Sequence, residues 1–355
     1  MQKHKLGIFI AIFLTVIIVG AVVFFHTRGA PQAARLLPEA DAILYLNLKP
    51  VRMATHLGEK PISHEPEYED FVRQTGFQIE RDLDQVAIAV HSPEVATNGS
   101  AIETQRRFSE IFVGRFDSTK LNHYLHKLST NVERYREHDV FLVPREGRPV
   151  RVSILSADTV AVSNTSDPAN IHHMIDHFHK MAIPLGGSAL LRSHYRDVPA
   201  GSSAWAISQL AAPDGKGASL PLPGGINFTL PQGTVMVASL RYVGSIQFKA
   251  EAFTPSVAAA QQLTSSASNF LQLFRAVETS VDPKGPDPDV KTFFDSIRVQ
   301  QDHERAILSA EMPQGFIAKI LTEAPNEAVG SGASKSTDSA PQPPITTKRS
   351  PVKKK

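Results

Sequence analysis

An uncharged apolar segment near the N-terminus places the strongest constraint on this chain. It begins at Leu6, ends at Phe25 and reads LGIFIAIFLTVIIVGAVVFF. A helix of that length extends about 30 Å, which matches the hydrocarbon core of a bilayer. Most of its residues are Leu, Ile, Val or Phe, so its insertion is favourable by on the order of 5 kcal/mol. We therefore predict a transmembrane helix over residues 6–25, with the lipid bilayer as its partner, after a short tail of residues 1–5.

The flanks of this segment favour an uncleaved anchor. A signal peptide has an apolar region of about 7 to 15 residues followed by a small-residue cleavage site, whereas residues 26–35 offer no good site. Lys3 and Lys5 before the span balance Arg28 and Arg35 after it, so these charges leave the orientation open. A short tail ahead of a large domain favours a cytoplasmic N-terminus and a main domain outside the cytoplasm, either periplasmic or at the cell surface.

Composition excludes several classes of protein. The chain has no cysteine, which rules out a disulfide framework, a thiolate metal site, a cysteine nucleophile and a lipid-modified cysteine. Its 37 Lys and Arg residues stand against 35 Asp and Glu residues. This near balance does not favour a nucleic-acid partner, because affinity for phosphates comes from many cations gathered on one surface.

The other end of the chain has a different composition. Residues 326–355 are rich in Ser, Thr, Pro, Gly and Ala and end in a basic cluster, KRSPVKKK. Such a segment buries too little apolar surface to offset the entropy of ordering, so we predict a disordered basic tail. We interpret the cluster as solubilising, with contact to an anionic polymer as the alternative.

Between these ends, a strand, a cap residue and an amphipathic helix follow one another four times. The strand phrases are FSEIFVGRF, TVAVSN, SIQFKAEAF and RAILSAEM. The predicted cap residues that follow them are Asp117, Asp167, Thr254 and Pro313. This repetition predicts an α+β fold in which antiparallel sheets are faced by amphipathic helices.

Two phrases suggest an internal duplication. LPEADAILYLNL, which starts at Leu37, aligns with VPAGSSAWAISQL, which starts at Val198, and the alignment places Leu44 over Trp205. We predict two α+β halves, residues 36–183 and 184–325, each with its own sheet, after a linker of residues 26–35. In this interpretation Leu44 and Trp205 are buried at equivalent positions, and the aromatic residues of these strands are core residues.

The chain contains no complete motif for a hydrolase or a nucleotide-binding enzyme, so we assign no catalytic, cofactor-binding or metal-binding residue. One polar cluster, IHHMIDHFHK, needs interpretation. It carries His172, His173, Asp176, His177 and His179 beside an apolar helical stripe. We interpret these residues as the solvent face of a helix. The alternative is a metal site, because two histidines and a carboxylate share one flank of that helix.

A single N-terminal span followed by LPEADAILYLNL and a degenerate second copy resembles a group of bacterial single-span, membrane-anchored extracytoplasmic proteins of unknown function. In that group a leucine-proline strand phrase opens each half. The resemblance covers residues 36–321, and it implies an envelope location without an activity. We therefore expect a non-catalytic protein that binds a protein or an envelope polymer. The alternative is a membrane-tethered metal-binding protein or hydrolase that uses the helix from His172 to His179.

Overall fold

The computed structural model shows a mixed fold of helices and antiparallel strands. It describes residues 29–55, 65–92, 107–145, 149–180, 186–209, 218–222, 226–281 and 288–313. The predicted transmembrane segment, the helix predicted after Pro313 and the tail of residues 326–355 lie outside these ranges. Within them, no helix is both long enough and apolar enough to cross a bilayer.

The described residues form fourteen strands, several of which follow one another without an intervening helix. The strands are β1 Ala42–Asn47, β2 Leu83–His91, β3 Arg107–Gly114, β4 Asn131–Tyr135, β5 His138–Val143, β6 Val150–Ile154, β7 Thr159–Ser163, β8 Ala204–Gln209, β9 Ala218–Leu222, β10 Ile226–Leu230, β11 Val235–Tyr242, β12 Ile246–Phe253, β13 Arg298–Asp302 and β14 Arg305–Met312. The helices are α1 Gln32–Arg35, α2 Leu48–Thr55, α3 Pro66–Thr75, α4 Ile79–Asp82, α5 Ser118–Leu128, α6 Ala169–His179, α7 Ala189–His194, α8 Val257–Val281 and α9 Pro288–Ser296. A short 3₁₀ helix, Tyr195–Asp197, follows α7.

One continuous sheet of twelve strands organises the fold. Its order is β13-β14-β12-β11-β8-β1-β2-β3-β7-β6-β5-β4, and β9 and β10 form a separate hairpin. The pairings are antiparallel, as the strand patterns predict. The prediction of a separate sheet for each half is wrong, because β1 pairs directly with β8 and joins the two halves.

The predicted cap of the first unit is confirmed, and the helix of the second unit begins later than predicted. The Asp117 carboxylate accepts a hydrogen bond from the Lys120 amide at 3.0 Å, which satisfies a free donor in the first turn of α5. In the second unit, α6 begins at Ala169, one residue later than predicted. Asp167 still accepts from the Ala169 amide at 2.8 Å, from two positions before the helix.

The third unit uses a different cap from the predicted one. The Ser256 hydroxyl accepts from the Ala259 amide at 3.2 Å and caps α8. The Thr254 hydroxyl donates instead to the Glu304 carbonyl at 2.8 Å. Thr254 therefore links the segment between β12 and α8 to the turn between β13 and β14.

Helices cover both faces of the sheet. The face that carries Tyr45 and Trp205, called here the α6 face, packs against α1, α6 and α7. The opposite face, called here the α5 face, packs against α5 in the first half and α8 in the second. Fully buried side chains on or against the α6 face include Leu36, Leu37, Ile43, Ile111, Ile171, Met174, Ile175, Leu191 and Ile207.

The segments that lead into β1 and β8 are part of the core and contact each other. Ala33 and Ala34 of α1 are fully buried, so residues 32–35 belong to the fold and the predicted linker of residues 26–35 is too long. The Glu39 carboxylate accepts from the Ala189 amide at 2.9 Å, at the start of α7. Gly187 has a φ of 109°, and a Cβ there would lie 3.3 Å from the Arg35 Cα. This left-handed glycine permits the close approach of α1 and α7.

The register between β1 and β8 decides which residues share a face. Tyr45 opposes Trp205, and their rings stack with centroids 5.4 Å apart. Leu44 opposes Ala206 and is 40% exposed, whereas Trp205 is 4% exposed. The alignment of Leu44 with Trp205 as equivalent buried residues is therefore wrong, because Leu44 lies on the α5 face. Burial, with a smaller effect of Tyr195, raises the pKa of the Tyr45 phenol to about 12, so this buried hydroxyl stays neutral.

We predict that Trp205→Ala lowers the free energy of unfolding by about 3 to 5 kcal/mol, because it removes a buried aromatic ring and its stack on Tyr45. Leu44→Ala is the matched control on the neighbouring strand, and we expect it to cost less than about 1 kcal/mol because Leu44 is exposed. Denaturant unfolding of both variants measures the difference. Equal costs would mean that the register is shifted by one residue.

Candidate functional site

The apolar stripe of α6 packs on the sheet, and its polar residues make separate contacts. Nε2 of His172 lies 3.1 Å from the Glu133 carboxylate, an ion pair when the imidazole is protonated. The His172 ring also stacks on Tyr135, with centroids 3.8 Å apart. The Asp176 carboxylate pairs with the Arg136 guanidinium at 2.6 Å. These partners come from β4 and the turn that follows it.

The remaining histidines of α6 point to other neighbours. Nδ1 of His177 lies 3.2 Å from the Leu36 carbonyl, and the His179 ring lies 5.3 Å from the His138 ring. His173 is exposed. Within the described ranges, no three metal-ligating side chains come close enough to hold an ion. The metal-binding alternative therefore has no ligand set in this part of the chain.

A buried chain of hydrogen-bonding side chains lies on the α6 face, and no motif in the sequence predicted it. Nε2 of His91 lies 2.9 Å from the Ser109 hydroxyl, and that hydroxyl lies 3.1 Å from the Ser163 hydroxyl. Ser163 in turn lies 2.9 Å from the Thr165 hydroxyl. A histidine beside a serine is the pair that nucleophilic catalysis needs, but Ser109 and Ser163 are 0% exposed and no substrate can reach them. We interpret the chain as structural.

Strand alternation could have indicated this chain. Ser109 shares the inward face with Ile111 two residues later, and Ser163 shares it with Ala161 two residues earlier. A serine at an inward position of a buried strand needs a hydrogen-bond partner. The sequence therefore carries the signal that each serine has a buried partner, but not the identity of that partner.

A cleft of about 430 Å³ opens on the α6 face, over the outer strands of the second half. Three cationic side chains line it, Arg241 on β11, Lys249 on β12 and Arg298 at the start of β13. We call this site the cationic cleft. Its lining also includes the hydroxyls of Ser239, Ser296 and Ser309, the Gln247 amide and the Glu311 carboxylate. Its volume lies within the range of small-ligand sites, and its lining is more polar than that of most of them.

Cross-strand pairing brings the cleft residues together. Lys249 lies directly opposite Ser239 on one side and Ser309 on the other, and Ser309 lies opposite Arg298. Directly opposed residues of antiparallel strands share a face. The polar side chains of four neighbouring strands therefore form one row across the sheet.

Comparison with known proteins gives few matches. No protein-family model and no curated protein matches this chain. Crystal structures of the protein TP0453 are similar to this chain over most of its residues. Form III has a TM-score of 0.46 at 11% identity and covers 83% of this chain and 99% of that chain. Form IV has a TM-score of 0.43 at 12% identity and covers 82% of this chain and 96% of that chain. Form I has a TM-score of 0.42 at 10% identity and covers 82% of this chain and 97% of that chain. Similarity at this level gives no indication of function.

We predict that His91 makes folding stability depend on pH. Burial, and to a lesser extent Arg107, lower the pKa of the His91 imidazole from its usual 6.5, while Asp41 opposes them. The unfolded chain therefore binds this proton more readily than the folded chain. The stability that neutral His91 contributes is present above about pH 6.5 and is lost as the pH falls below that value.

The measurement is the free energy of unfolding of the native chain and of His91→Gln at about pH 7.5 and about pH 5. The native chain should lose stability relative to the variant on acidification. His173→Gln, at an exposed position of α6, is the control and should keep a constant difference from the native chain. A His91→Gln difference that is the same at both pH values would contradict the prediction.

Proposed function

We propose that this chain is a membrane-anchored extracytoplasmic protein with a non-catalytic binding role in the cell envelope. The observation that carries the proposal is the uncharged segment of residues 6–25, which has the length and composition of a bilayer span. The resemblance of its strand phrases to anchored envelope proteins agrees with this location. The lipid bilayer would be one partner, and a protein or an envelope polymer the other.

The position of α1 supports a domain held close to the bilayer. The helix starts at Gln32 and is buried against the sheet, so six residues, 26–31, separate it from the predicted span. Even a fully extended chain of that length reaches only about 20 Å. A domain tethered so closely has restricted freedom to turn away from the membrane surface.

The cationic cleft supports a binding role for that domain. It is concave, it has a volume of about 430 Å³, and charged and hydroxyl groups converge in it. Polar groups placed in such a site fix the orientation of the bound ligand and make its binding specific.

We also infer that the two halves arose by duplication. Outward from the centre of the sheet, the order β1-β2-β3-β7-β6 in the first half corresponds to β8-β11-β12-β14-β13 in the second. In each half a helix follows the third strand, α5 after β3 and α8 after β12. Because β1 and β8 are antiparallel neighbours at the centre, a two-fold rotation would relate the copies. The hairpin of β4 and β5 is then an addition to the first half.

We predict that a reporter fused after Glu323 reports a location outside the cytoplasm. An alkaline phosphatase fusion should be active and a fusion to green fluorescent protein dark, because the single predicted span carries the domain across the membrane. Deleting residues 6–25 is the control and should reverse both readouts. Phosphatase inactivity together with fluorescence from the full-length fusion would reverse the proposed orientation.

A further inference from the structure

The cationic cleft carries more positive than negative charge. Arg241, Lys249 and Arg298 line it with a single carboxylate, that of Glu311. The Glu311 carboxylate also accepts a hydrogen bond from the Ser245 hydroxyl. The lining therefore has a positive charge that attracts an anion.

The cations keep donors for a ligand. Arg241 donates from Nη2 to the Gln247 side chain at 2.7 Å, and Arg298 donates from Nη1 to the carbonyls of Asp295 and Ile297. Each guanidinium has five N–H donors, so most remain available with respect to the described partners. Lys249 is the weaker contributor, because its ammonium lies 3.0 Å from the Glu251 carboxylate.

The serine hydroxyls add neutral donors to the same row. Ser309 lies between Lys249 and Arg298 in the sheet. The Ser239 hydroxyl donates to the Lys249 carbonyl at a long 3.4 Å and could turn to a better acceptor. Arginine, lysine and hydroxyl donors that converge in one cleft match the several acceptor oxygens of a phosphate group.

The spacing of the cations determines whether they can contact the same ligand. Arg241 and Arg298 are on strands separated by β12 and β14, which places their backbones roughly 15 Å apart. Long side chains from these positions can converge on one phosphate, and the cavity of about 430 Å³ leaves room for an organic group beside it. A phosphate monoester carries a charge of roughly −1.5 to −2, which is opposite in sign to the lining and allows it to pair with both guanidinium groups.

We infer that the cationic cleft binds a phosphate monoester, with Arg241 and Arg298 as the principal phosphate ligands and the hydroxyls of Ser239 and Ser309 as secondary donors. This inference rests on the proposed binding role, for which it names the ligand class, and it is independent of the orientation of the anchor. The phosphate can belong to a soluble metabolite or to a lipid headgroup such as that of phosphatidic acid. The chemistry of recognition is the same for both.

The test is calorimetric titration of the full-length chain, held in phosphatidylcholine nanodiscs, with glycerol 3-phosphate. We expect saturable binding that Arg241→Gln with Arg298→Gln weakens at least about tenfold, the effect of losing charged hydrogen bonds. Arg73→Gln with Arg134→Gln removes the same charge at exposed sites outside the cleft and should leave the affinity within about twofold. Arg298→Gln alone, at an exposed position, should weaken binding severalfold even if the double variant fails to fold.

Repeating the titration in nanodiscs that contain phosphatidic acid separates the two sources. A loss of apparent affinity there would show that the lipid headgroup occupies the cleft, and an unchanged affinity would indicate a soluble ligand; both results support a phosphate site. Absence of binding in phosphatidylcholine nanodiscs would overturn the inference. Equal weakening by the control pair would also overturn it, because binding would then follow overall charge. Neither result bears on the topology reporter, so a failure here leaves the anchoring proposal standing.

Discussion

The antiparallel pairing of β1 with β8 is the interaction on which the rest of the structure depends. Without it each half would present an open edge of unpaired backbone groups, which is a template for aggregation. The pairing also brings Tyr45 onto Trp205, and both rings are buried on the α6 face. The helices that precede these strands strengthen the junction, since Glu39 before β1 accepts from Ala189 at the start of α7. The twelve-stranded sheet is thus built outward from one central seam.

The two halves differ in what they place on the α6 face beyond that seam. In the first half, the row that continues from Tyr45 reads Ala87, Ile111 and Ala161, which pack under α1 and α6. In the second half, the row that continues from Trp205 reads Ser239, then Lys249, Ser309 and Arg298. Apolar side chains favour a covering helix, whereas charged ones favour water or a polar ligand. The cationic cleft follows from that change of residue type within a shared topology.

Local patterns in the sequence predicted much of this fold but not its long-range pairing. The strand and helix units around Asp117 and Thr254 follow from alternation and helical periodicity, although Ser256 and not Thr254 caps the second of these helices. In β1, by contrast, Ile43 and Tyr45 on one face are no more apolar than Leu44 and Leu46 on the other. Alternation therefore gave no way to choose the covered face, and the alignment of Leu44 with Trp205 chose wrongly.

The candidate sites show the same division between local and distant information. Helical spacing in the sequence indicated that the histidines of α6 lie near one another. Their contacts, however, are made with residues distant in sequence, such as Glu133 and Tyr135 of β4. The cationic cleft gave no such signal, because Arg241, Lys249 and Arg298 lie on three strands and form no motif. Only the register of β11, β12, β14 and β13 places them on one face.

The pairing of β1 with β8 can be tested directly, because the chain has no native cysteine. Leu44 and Ala206 are directly opposed, and opposed residues of antiparallel strands have Cα atoms about 4.5 to 5.5 Å apart, within the range of a disulfide. The double variant Leu44→Cys with Ala206→Cys should form an intramolecular disulfide on mild oxidation, detected as the loss of two free thiols by mass spectrometry. Leu44→Cys with Ala238→Cys is the control, because Ala238 lies one strand further away and beyond disulfide reach. A single central sheet predicts cross-linking in the first pair and not in the second; free thiols in the first pair, or equal cross-linking in both, would contradict it.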